Sequence, residues 1–89
     1  MPETHGQRNI VGRRIREARL RARPVVSQED LAARLARKGI FFDRSAISRM
    51  EAEKRFVRDY EALAIADCLS VSIGWLFKRE GGESLARKK

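Results

Sequence analysis

Arg44, Ser45, Ser48 and Arg49 fall at i, i+1, i+4 and i+5, a spacing that gathers four side chains on one face of a helix. On a wheel at about 100° per residue with Ile47 at zero, Met50 and Glu51 lie within about 60° of Ile47. Ser45 and Arg49 lie near 160° and 200° on that wheel, with Ser48 and Ala52 flanking them. One face is therefore apolar, and the other carries arginine and serine with little bulk. Small residues let a helix axis sink into a major groove, and arginine reaches guanine O6 and N7 with two parallel hydrogen bonds. The same composition also suits a helix that only faces solvent. Chemistry of other kinds has little to work with. The chain has one histidine, His5, and one cysteine, Cys68, so neither an internal disulfide nor a zinc-type ligand set can form. No paired carboxylates, Ser/His/Asp set or phosphate-cradling glycine loop is present, which argues against an enzyme and against a small-molecule substrate or cofactor.

The 89 residues make one small domain. Twenty Lys and Arg against twelve Asp and Glu leave a net charge of +8 and a pI of about 10.8, a balance that favours a polyanionic partner. With 43% hydrophobic residues, the charge decorates a fold and not a disordered tail. It is also polarised. Residues 1–23 hold seven arginines against Glu3 and Glu17, a balance of +5, whereas residues 58–69 hold Arg58 against Asp59, Glu61 and Asp67, a balance of −2. An N-terminal arm over 1–8 and a basic tail over 79–89, ending Arg87-Lys88-Lys89, are expected to be flexible around a domain of residues 9–78. No apolar run approaches a membrane span and the first residues lack the apolar stretch of a signal peptide, so a cytoplasmic location is expected. The first helix carries alanines where a membrane-lying helix needs large apolar residues, so a membrane partner is not expected.

Five helices must position the 44–49 face. Val11, Ile15, Ala18 and Ala22 make one apolar stripe and predict a helix over 9–22, ended by Pro24. Ser27 is placed to cap a second helix, with Glu29 and Asp30 in its first turn and Gly39 beyond its end. Asp43 caps a third over 44–52. A fourth over 58–69 turns Ala62, Leu63, Ile65, Ala66 and Leu69 inward, and a short fifth over 72–78 starts at Ser72. Strand-like alternation is absent. The fold class is all-α, a compact five-helix bundle.

Three pieces in this order are specific. Ser27-Gln28-Glu29-Asp30-Leu31-Ala32, Ile47-Ser48-Arg49-Met50-Glu51 and Ile65 to Leu76, of pattern I-A-x-x-L-x-V-S-x-x-x-L, together resemble the lambda-repressor-like (Xre-type) helix-turn-helix family over about residues 9–78. The resemblance implies that Ser27 and Gln28 meet DNA phosphates, that Arg44, Ser45, Ser48 and Arg49 read base edges, and that Lys54 and Arg55 clamp phosphates. It further implies that Arg19 and Glu51 bridge the first and third helices. Its functional implication is a sequence-specific regulator of transcription on double-stranded DNA, a nucleoid-associated homodimeric repressor reading a palindromic operator. The alternative is an antitoxin or other protein-interaction module, with a partner such as a toxin, built on the same fold. Departures are visible. The 33–46 spacing is longer than the family's, so the second helix or its turn is lengthened. Glu53 and Ser70 stand where the family usually has glycine. Phe41 and Phe42 are expected to pack into the core, as are Trp75, Leu76 and Phe77 unless they face a second subunit, and Cys68 is expected to be a small buried hydrophobe.

Overall fold

A computed structural model describes residues 7–78; the rest of the arm, with His5, and the 79–89 tail lie outside the described residues. Five helices follow one another, α1 Gly12–Arg21, α2 Gln28–Arg37, α3 Arg44–Glu51, α4 Asp59–Leu69 and α5 Ile73–Leu76, and no strand occurs among the described residues.

Local chemistry sets the ends. α1 begins at Gly12, three residues after the predicted start at residue 9, and the turn ahead of it is held by Asn9 Oδ1, which accepts from the backbone N–H groups of Val11 and Gly12 at 3.0 and 2.8 Å. In α2, Ser27 Oγ accepts from Asp30 N at 2.9 Å while Asp30 Oδ2 accepts from Ser27 N at 3.2 Å, a complete capping box. Gly39, at φ +82°, turns the chain out of that helix. α2 runs to Arg37, and residues 38–43 connect it to α3. Asp43 Oδ1 caps α3 by accepting from Ala46 N at 2.8 Å, Glu61 Oε1 accepts from Arg58 N at 2.9 Å to start α4, and Ser72 Oγ accepts from Trp75 N at 3.0 Å to start α5. Glu53 and Ser70 adopt φ of 65° and 58°. A left-handed conformation, which glycine adopts freely, is thus held by two residues for which it is strained.

The core joins Val11 and Ile15 of the α1 region to Leu31 and Leu35, Ile47 and Met50, Ile65 and Leu76. Contacts of α1 with α3 and α4, and of α2 with α3 and α4, place α3 against two supports at once. Gly12 is part of that fit. A Cβ there would collide with the Met50 carbonyl oxygen and lie 2.8 Å from that of Glu51, so the start of α1 seats directly on the last turn of α3.

Several expectations need correction. Leu63 is 54% exposed, because it shares its stripe of α4 with Asp59 and Asp67, four residues either side, while Ala62, Ile65, Ala66 and Leu69 form the buried stripe. Phe41 is exposed; only Phe42 packs against the core. In α5, Leu76 is fully buried and Trp75 packs half-buried against the core under the Arg14 guanidinium at 4.5 Å, as expected, whereas Phe77, just past α5, is exposed. Cys68 is half-buried, and burial pushes its thiol pKa up against the nearby Lys38 and Arg34 charges, which pull it down.

Candidate nucleic-acid interface

The outward residues of α3 are Arg44, Ser45, Ser48 and Arg49, all exposed, and its inward residues Ala46, Ile47 and Met50 are buried. The four residues expected to act together therefore share one solvent face. Arg49 Nη1 donates to Ser45 Oγ at 2.7 Å, one turn earlier. A guanidinium has five N–H donors, so this bond steers the arginine along the helix and leaves donors for a partner.

Beneath that face, Glu51 accepts from Arg19 Nε at 2.7 Å, from Arg19 Nη2 at 2.9 Å and from Gln28 Nε2 at 3.1 Å. Arg19 Nη1 also donates to the Val26 carbonyl at 3.0 Å. The Arg19 and Glu51 side chains are only 8% and 5% exposed. The hydrogen bond to Glu51 raises the Arg19 pKa against the opposing cost of burial. A forked, doubly bonded ion pair of this kind ties α1, α2 and α3 into one frame. Gln28, half-buried, directs an amide N–H inward to that frame while Ser27 stays exposed. Arg19, Ser27, Gln28, Glu29 and Arg44 line an open hollow between the start of α2 and the start of α3. Apart from Glu29, its chemistry suits a phosphate, since the α2 N-terminus and Arg44 both favour negative charge.

The two basic residues that follow α3, Lys54 and Arg55, differ. Lys54 is exposed. Arg55 is held against the protein, with its guanidinium 4.7 Å over the Phe42 ring, its Nη1 donating to the Phe56 carbonyl at 3.0 Å and lying 3.9 Å from Glu61.

Sequence reasoning missed the clasp behind α3. Asn9 Nδ2 donates to the carbonyls of Met50 at 3.1 Å and Arg55 at 2.8 Å, Gln7 Nε2 donates to Glu53 Oε1 at 3.1 Å, and Arg8 N donates to the Glu53 carbonyl at 2.9 Å. Residues 7 and 8 of the expected arm are therefore tethered. The tendency of Asn9 to form a side-chain turn was a readable signal; its clasp on the end of α3 was not.

Away from α3, the exposed Tyr60, Leu63, Ile73 and Phe77 line one shallow groove with Asp59 at its rim, and none of its lining residues is basic. Among the described residues, no three His, Cys, Asp or Glu side chains gather to hold a metal, and no helix is long and apolar enough to cross a membrane. Comparison of the chain with protein-family models, with curated proteins and with solved structures finds no match in any of the three.

Proposed function

We propose that this chain is a sequence-specific, double-stranded DNA-binding regulator of transcription that acts in the cytoplasm as a nucleoid-associated, homodimeric repressor. The observation that carries the reading is the exposed face of α3, where two arginines and two serines stand together on a helix braced by the Arg19–Glu51–Gln28 frame. Arg44 and Arg49 supply bidentate donors for base edges, Ser45 and Ser48 supply hydroxyls of either polarity, and the +8 chain supplies the electrostatic attraction. Ser27, Lys54 and the half-buried Arg55 and Gln28 hold the backbone register through phosphates. A second copy covers the Tyr60–Leu63–Ile73–Phe77 groove, because two basic protomers meet most favourably where positive charge is absent.

A second reading, an antitoxin-like module, draws on that same groove, which another protein could fill. Selection of bound duplexes from a randomised library at ~150 mM salt separates the two. Enrichment of a palindrome with half-sites about one helical turn apart is the expected result. A featureless pool, with binding that disappears as salt rises, would overturn the regulator and leave the protein-partner reading.

A further inference from the structure

Phe41 is 78% exposed, the highest value among the large apolar side chains of the described residues. Two other phenylalanines are accounted for. Phe42 packs against the core and lies beneath Arg55, and Phe56, 65% exposed, has the Arg8 guanidinium 5.3 Å above its ring. Phe41 belongs neither to the core cluster nor to a cation–ring pair. A lone exposed apolar residue is ordinary in itself; its place gives this one meaning. It lies two residues before the Asp43 cap and three before Arg44, on the segment that leads into the N-terminal turn of α3. A helix entering the major groove brings its N-terminal turn to the base edges. Phenylalanine offers no hydrogen bond, and the one apolar feature that the groove presents to it is the C5 methyl of thymine.

We propose that Phe41 is a specificity-determining residue, its ring packing on a thymine methyl beside the base or phosphate that Arg44 takes. The assignment rests on the DNA-binding reading and adds to it a residue that discriminates by apolar contact and not by charge. Its contribution is therefore independent of salt, unlike that of the arginines.

The test uses the full chain. Wild type and Phe41→Ala each select duplexes from the same randomised library, and both are then titrated on the wild-type operator with each thymine replaced in turn by deoxyuridine, which lacks only the methyl. At one position per half-site, wild type is expected to lose roughly fourfold in affinity, the transfer free energy of one buried methyl. Phe41→Ala should bind the two duplexes alike, with an unchanged salt slope and an unchanged Tm. A variant that keeps the wild-type thymine preference and the same deoxyuridine penalty overturns the proposal alone. A shift in oligomeric mass with no change in base preference also overturns it, by making Phe41 a protein contact. If wild type itself selects no sequence, the DNA-binding reading falls and the assignment falls with it.

Discussion

Arg49 starts from a defined position, bonded to Ser45 Oγ at 2.7 Å, so in the proposed complex it would lose less side-chain entropy on meeting a base than a freely rotating arginine. Lys54 starts from none. The two should separate experimentally. Arg49→Ala is expected to relax base preference at one position per half-site and to cost about 1–3 kcal/mol on the operator but far less on random duplexes. Lys54→Ala should weaken all duplexes alike and reduce the slope of log K against log salt by about 0.9. Titrations of both variants on operator and random DNA across a salt series check this, and equal losses on both would overturn the assignment. Lys54 is the cleaner probe because removing Arg55 also strips the cover from Phe42. The α3 face was legible in the sequence, since a period of 3.6 decides which of eight residues point outward. Phe41 was not, because adjacent aromatics in an irregular connection have no period to sort them. The Asn9 clasp was hidden for another reason: its acceptors lie 41 and 46 residues away.

Between elements, the tightest constraint is the contact of the α1 start with the α3 end. Gly12→Ala offers a better helix former, worth up to about 1 kcal/mol, but the new methyl meets two backbone carbonyl oxygens in the last turn of α3. Overpacking of this kind costs about 1–3 kcal/mol, so net destabilisation is expected, read as a lower urea midpoint with unchanged m. Ser70→Gly goes the other way. At φ 58° the serine carries left-handed strain, and its relief should exceed the added unfolded-state entropy of glycine, for a gain of about 0.5 kcal/mol in the same titration. Glu53→Gly should gain less, because the Glu53 carboxylate also holds Gln7. The family resemblance implies glycine at the positions of Glu53 and Ser70, but whether the helix would continue or turn there depended on packing beyond local propensity. The capping box at Ser27 and the Asp43 and Ser72 caps needed only nearest neighbours and were fully readable.

At the scale of the molecule, a net charge of +8 suits the proposed attraction to DNA and opposes pairing of the chain with itself. The two tendencies coexist if the mating face is apolar and free of bases, as the Tyr60–Leu63–Ile73–Phe77 groove is. Salt then acts on them with opposite sign. Screening weakens the attraction between cationic side chains and phosphates, but it also weakens the mutual repulsion of two basic protomers and leaves apolar burial intact. Mass measured in solution should therefore shift toward dimer as salt rises from ~50 to ~300 mM, while affinity for DNA falls over the same range. Leu63→Asp should abolish the dimer with little change in Tm, since Leu63 is 54% exposed in the single chain. The variant would still bind one half-site, but it would lose the steep, cooperative occupancy of a duplex carrying two. A Leu63→Asp protein that remains dimeric would put the mating face elsewhere. A wild type that stays monomeric both free and on a two-site duplex would remove the homodimer altogether, leaving the groove to a different protein.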